Sequence, residues 1–264
     1  MPEEIIGYQY IKHRATGEPA GPLTPIFKKD WPYKLPPASQ TVWRYMDLWK
    51  FESMLRTGRL YFRRADKLPD EGEGRLSSKE IHGTSESESA FKAAYNLARN
   101  DYDEHAAAHE ITRSCMFVNC WNIANRESTR MWREYTTSSD SVVVTTSMKA
   151  MHRAVQQHSI VISRVKYVSN STPRVEFSHT TPFFYKDRCF SFENELRLLR
   201  PLGEKEQVLM EDEKDFYRTV PVNLKLLIHR VITHKRISRD SAELVHSLTR
   251  QFCRRALVQQ STLL

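Results

Sequence analysis

Short runs rich in β-branched and aromatic residues recur at irregular spacing, and they limit the possible folds more than any other feature of this chain. "TVWRYM" (41–46), "RLYF" (59–62), "CMFVNCW" (115–121), "SVVVTT" (141–146), "IVISRVKYV" (160–168), a stretch near 216–222 and "LLIHRVIT" (226–233) each have the length and composition of a strand. Helical patterns fall between some of them. Asp47 is a suitable N-cap for "LWKFESMLRT", whose Leu48, Phe51 and Leu55 form one stripe, and Gly58 is a suitable stop. "RESTRMWREY" (126–135) and residues 147–158 read as further helices. The helices keep no regular strand–helix–strand beat. The pattern therefore predicts an α+β fold with mixed or antiparallel sheets and inserted helices. No GxGxxG or GxxxxGK loop is present, so neither a Rossmann nor a P-loop nucleotide site is supported.

Proline divides the chain. Seven of the twelve prolines lie in the first 37 residues, where they prevent long regular elements. Residues 1–40 are expected to be a proline-rich arm, and 41–235 a single α+β domain. A helical insertion is expected near 75–112, around the Ala-rich "AFKAAYNLARNDYDEHAAAHEI". Residues 236–264 are expected to form a basic C-terminal helix packed on the domain. Leu244, Leu248, Phe252 and Ala256 fall at i+4 spacing from about 239 to 257.

The charge is unevenly spread. The net charge is +8, and residues 225–255 hold Lys225, Arg230, Lys235, Arg236, Arg239, Arg250, Arg254 and Arg255 against Asp240 and Glu243. Such a region suits nucleic acid, an anionic cofactor or an acidic partner, or is a solvated basic face. The four cysteines form no CxxC pair and fit reduced thiols. No apolar run approaches the roughly 20 residues that cross a bilayer, and the N-terminus has no signal-peptide pattern. A cytoplasmic protein without membrane contact is expected.

Several constellations carry possible chemistry. His105 and His109 have a zinc-compatible spacing but lack the Glu of HExxH, and read as helix-surface histidines. Asp70, Glu71 and Glu73 could supply oxygen ligands to a divalent metal, or form a solvated turn. Trp43, Tyr45, Trp121, Trp132 and Tyr135 are core bodies or the walls of a pocket for a planar ring. Arg44, between Trp43 and Tyr45, either pairs with a carboxylate or grips a phosphate with its planar fork. In "CFSFENELRLL" (189–199) a strand's period of two would set Glu193, Glu195 and Arg197 on one face. Two carboxylates so placed repel unless a cation relieves them. They are either a neutralised strand face or an acid pair in a cleft.

In order, "VWRYMDLWKFESMLRTGRLYFRRADKLPDEGEG", "FVNCWN", "ESTRMWREY", "VVVTT", "VKYV" and "YKDRCFSFENELR" resemble successive signatures of the bacterial domain-of-unknown-function 2971 family. The likeness runs from about residue 42 to 200. Where that family often has Asp-Pro-Phe-Glu-Gly, this chain has "PDEGEG".

A more distant resemblance is to the ADP-ribosyltransferases. Their arginine, serine and E-x-E stations match Arg44, Ser128 and Glu193-Asn194-Glu195 in order. The resemblance implies an ADP-ribosyltransferase-like core and NAD as substrate. It implies transfer of ADP-ribose to a protein or nucleic acid, or NAD glycohydrolysis, by a bacterial toxin or phage-defence effector with an antitoxin or regulatory partner. Glu195 would stabilise the oxocarbenium-like centre formed when the nicotinamide–ribose bond breaks, and Glu193 would orient or deprotonate the acceptor. Arg44 would hold the pyrophosphate, with Ser128 at the nucleotide and Tyr45, Trp121 or Trp132 packing on its rings. The other readings are a metal-dependent nuclease built on Asp70, Glu71, Glu73, Glu193 and Glu195, and a non-catalytic module that binds nucleic acid or protein.

Overall fold

The structure is a computed structural model and describes residues 5–9, 24–27, 34–70, 74, 112–169, 180–202 and 216–263. Two compact units are present, Met1–Lys34 and Leu35–Leu264. In the first, β1 (Ile5–Gln9) pairs antiparallel with β2 (Thr24–Phe27). The boundary lies ahead of the expected residue 40. The carbonyls of Ala38 and Gln40 accept backbone bonds from Lys149 and Met148, which ties this turn to the second unit.

The second unit opens with β3 (Thr41–Asp47), α1 (Leu48–Thr57) and β4 (Arg59–Arg64). After residue 112 come β5 (Met116–Ile123), α2 (Thr129–Tyr135), β6 (Ser141–Ser147) and α3 (Met148–Val155). Then follow β7 (Val161–Arg164), β8 (Lys166–Val168), β9 (Tyr185–Asp187) and β10 (Glu195–Pro201). The chain closes with β11 (Tyr217–Pro221), α4 (Leu224–Leu227), β12 (Arg230–Thr233), α5 (Arg239–Phe252) and β13 (Leu257–Gln260).

The fold is α+β, built on one mostly antiparallel sheet. Its main path is β11-β4-β5-β3-β6-β12-β13, with β10 and then β7 beyond the other edge of β5. Only β12 and β13 run parallel within it, and β8 and β9 form a separate parallel ribbon.

Strand alternation sorts the core into two. On one face Val42, Met46, Phe117, Trp121, Leu196 and Leu198 meet Phe51 and Leu55 of α1, Met148 and Met151 of α3, and Val245 and Leu248 of α5. On the other, Trp43, Tyr45, Val143 and Ile232 meet Met131 and Trp132 of α2. Burial of such side chains stabilises by roughly 1.5–3 kcal/mol each.

Three sequence expectations are corrected. The last helix stops at Phe252, not near 257: the Cys253 N–H closes on Thr249, the chain turns at 254–255, and Leu257–Gln260 adds a strand beside β12. The run at 160–168 breaks at Val165, whose N–H donates to the Glu195 carbonyl before β8 departs to pair with β9. The stretch 189–199 is not one strand. Residues 188–193 form a 3-10 helix, Asn194 takes the left-handed conformation (φ 38°), and β10 begins at Glu195. The helical insertion expected near 75–112 falls almost wholly outside the described residues, as do Glu71, Glu73, His105 and His109.

Candidate active site

β5 is the junction of the sheet. Along one edge it pairs with β10 over its whole length, from Glu195 opposite Asn122 to Pro201 opposite Met116. Along the other it pairs with β4 at Phe117 and Val118, and with β3 at Asn122 and Ile123. Residues 119–121 have no ladder partner on that edge, so β3 and β4 fork apart over them. Buried backbone groups left without ladder bonds need other partners. Asn119 supplies one: its side-chain amide donates to the Tyr61 carbonyl at 2.7 Å, while its oxygen accepts from the Trp121 indole at 2.6 Å.

The two glutamates meet although they do not share a strand. Glu195, on β10, and Glu193, in the 3-10 turn before it, are both buried. Asn194 makes this possible. Its left-handed backbone reverses the chain between them, and its side-chain amide bonds the Ile123 carbonyl. The two oxygens of Glu195 accept from Arg197 Nε and Nη2 at 2.6 and 2.8 Å, and Arg197 Nη1 donates to the Phe183 carbonyl. Glu193 accepts from the Tyr135 hydroxyl at 2.6 Å and from Lys186 Nζ at 2.7 Å. Lys186 also lies 3.9 Å from Glu195, bridging the pair. Two cations thus face two carboxylates.

The carboxylates differ in their environments. Burial raises the proton affinity of Glu193, and Lys186 and Tyr135 offset only part of that, so its pKa stands above the ordinary value. Burial acts on Glu195 in the same sense but is overcome by Arg197, with Lys186 and the Cys120 thiol adding, so its pKa is lowered. Burial and the adjacent Glu193 hold the Tyr135 phenol firmly protonated.

Arg44 lies at the fork. Register puts it on the side of Val42 and Trp121, whereas Glu195 is level with Asn122 and Trp43 on the other side of the pleat. No ion pair joins the two. Cys120 neighbours both: its thiol bonds the Glu195 carboxylate, and it is the ionisable group that acts on Arg44. The Arg44 guanidinium lies 5.9 Å from the Trp121 ring centroid and has no carboxylate partner among the described residues. Burial brings its pKa down to about 10.

The remaining expected residues support the fold. Ser128 caps α2, accepting from the Met131 N–H, rather than lying within the helix. Tyr45 accepts from the Ser128 N–H at 2.9 Å and packs edge-on to Trp132 at 5.2 Å. Trp132 donates to Glu127, and Trp121 and Trp132 are 2% and 1% exposed, so neither indole has a face open for stacking. Sequence reasoning missed Lys186, Cys120 and Tyr167, whose hydroxyl receives the Glu195 N–H. Each lies inside one of the family-like segments, Cys120 in "FVNCWN", Tyr167 in "VKYV" and Lys186 in "YKDRCFSFENELR", but no spacing marks any of them as a site residue. Only the need for cations beside two acids signalled that Lys186 or its like must exist.

No family model matches the chain, and no curated protein does. Among solved structures, Thermus sp. 2.9 DarT in complex with ADP-ribosylated ssDNA aligns over 87% of this chain and 97% of that chain, at 13% identity and a TM-score of 0.40. Thermus sp. 2.9 DarT in complex with NAD+ aligns over 86% of this chain and 98% of that chain, at 12% identity and a TM-score of 0.39.

Proposed function

We propose that the chain is an NAD-consuming enzyme of the ADP-ribosyltransferase kind, with its chemistry at the Glu193–Glu195 pair. The observation that carries this is the division between the two carboxylates. An acid pair whose environments drive the proton affinities apart supplies both a fixed negative charge and a proton acceptor. Glu195, held ionised by Arg197, is the fixed charge that stabilises the oxocarbenium-like ribose. Glu193, bonded to partly exposed Tyr135, orients the acceptor and takes its proton. Arg44, which has no carboxylate partner among the described residues, is the cation that would meet the pyrophosphate at the fork, from the side of the sheet opposite Glu195.

The test is nicotinamide release from NAD. Glu195→Gln keeps the shape of the side chain and should abolish release while thermal unfolding stays cooperative. Unchanged turnover in that variant overturns the proposal.

One observation favours the non-catalytic module instead: both Glu195 oxygens are engaged by Arg197, which closes the pair electrically. That reading expects no NAD cleavage by the unaltered protein. The metal-dependent nuclease has less support. Lys186 and Arg197 occupy the places where a metal would neutralise these carboxylates, and no group of three or more His, Cys, Asp or Glu among the described residues could hold one.

A further inference from the structure

The fork separates β3 from a second feature, the β4–β11 ribbon at the end of the sheet path. Arg59, Tyr61 and Arg63 of β4 are exposed, alternating with buried Leu60, Phe62 and Arg64. Across the ladder, Tyr217 lies opposite Arg63, Thr219 opposite Tyr61 and Pro221 opposite Arg59. One face of the ribbon therefore carries Arg59, Tyr61, Arg63, Tyr217, Thr219 and Pro221. Tyr61 and Tyr217 are 44% and 52% exposed and stack on each other, with centroids 5.0 Å apart and ring planes 24° from parallel.

Two large aromatic rings left in water on one strand pair forgo burial that would stabilise the fold, and that calls for an occupant. Within the two strands the charge has one sign. Neither strand holds an acidic residue. Arg59 is held by the Thr219 hydroxyl and carbonyl, both neutral, so its charge is not cancelled. The face also leads to the site. Arg63 is opposite Val118, and Cys120, two residues further along β5, is opposite Arg197. The tyrosines thus lie on the same side of the sheet as Glu195.

We propose that this ribbon binds single-stranded nucleic acid, with unpaired bases stacking on Tyr61 and Tyr217 and phosphates meeting Arg59 and Arg63. Base-on-aromatic stacking needs a free ring face, which unpaired bases offer and a duplex hides. An acidic peptide would use the arginines but not the rings. As the acceptor track for the chemistry at Glu193–Glu195, the surface rests on the function proposed above; as a binding surface it stands alone.

The probe is a fluorescein-labelled 12-nucleotide oligothymidylate, with the full chain titrated in at low salt and read by anisotropy. Tyr61→Ala/Tyr217→Ala should weaken binding about tenfold or more. Arg63→Ala should reduce the slope of log affinity against log salt by about 0.7, the value for one phosphate on a single strand. Both changes lie on an exposed face, and matching thermal melts confirm that the variants are folded. Binding of a same-length RNA by the same residues supports the proposal equally. It is overturned if the double tyrosine variant binds as tightly as the unaltered protein, if a duplex of the same length binds as tightly, or if polyglutamate displaces the oligonucleotide. NAD turnover by the unaltered protein is a separate readout. Binding without turnover overturns only the catalytic reading, and turnover without binding overturns only this surface.

Discussion

Glu195 and Arg197, two residues apart on β10, close on each other through two hydrogen bonds of 2.6 and 2.8 Å, with both side chains almost fully buried. The carboxylate can stay ionised in the interior because the matching planar fork lies beside it on the same strand face.

Removing the cation exposes the cost of that arrangement. Arg197→Met should destabilise the protein by about 3–5 kcal/mol, since Glu195 would be left buried without its main partner. Urea denaturation measures it. Adding Glu195→Gln to that variant should restore part of the loss by removing the orphaned charge.

Arg44 should behave in the opposite way. It holds no carboxylate among the described residues, and burial already weakens its hold on its proton. Arg44→Met should leave stability unchanged or raise it, while weakening NAD binding about tenfold or more, as expected for a charge-assisted contact worth roughly 1.5–3 kcal/mol. Calorimetric titration with NAD checks both the site and the role.

Glu193 should set a pH limb. Its raised pKa means that the folded chain holds this proton more tightly than the unfolded chain does. Its stability contribution therefore falls as pH rises from the ordinary Glu value, about 4.3, through the higher folded value. NAD turnover should rise over that same interval as the base ionises. Glu193→Gln should remove both trends, read from melting temperatures and rates across the pH series.

Asp47 should give the opposite slope. Burial would raise its pKa, but the Thr137 N–H, Lys50 and the Thr137 hydroxyl outweigh burial and lower it. Its contribution is present above the ordinary carboxylate value and is lost as pH falls through the folded one. Asp47→Asn should cost about 1.5–3 kcal/mol at pH 7, from hydrogen bonds to a charged group, and much less in acid. Denaturation at both pH values measures the difference.

Asn194 sets the separation of the two acids. Asn194→Val should destabilise by at least about 1–2 kcal/mol, because a β-branched residue resists the left-handed backbone. Asn194→Gly should recover the backbone part while still lacking the bond to Ile123. Melting temperatures of the two variants separate these contributions.

The local elements were legible in the sequence because they depend on near neighbours. "TVWRYM" and "SVVVTT" read as strands from their β-branched and aromatic content, and both are strands. Gly58 read as a helix stop, and it adopts the left-handed cap that few other residues accept. The α+β class followed from the irregular order of these runs. Glu193 and Glu195 were also found by spacing, but for a reason that did not hold: the period of two presumed a continuous strand, and Asn194 breaks it.

What tertiary structure alone decided is the pairing of residues far apart in the chain. Trp121, Trp132 and Ser128 have the chemistry of ligand contacts, and only packing shows two indoles closed in cores and a hydroxyl spent on a helix cap. Lys186 reaches Glu193, Tyr135 caps it, and Tyr61 stacks on Tyr217 from 156 positions away. Such contacts depend on strand order and register, which arise from the packing of the whole sheet. The sequence by itself determined where strands and helices form, because those preferences are local. It left open which side chains meet across the fork in β5, because that depends on which strands share its edges.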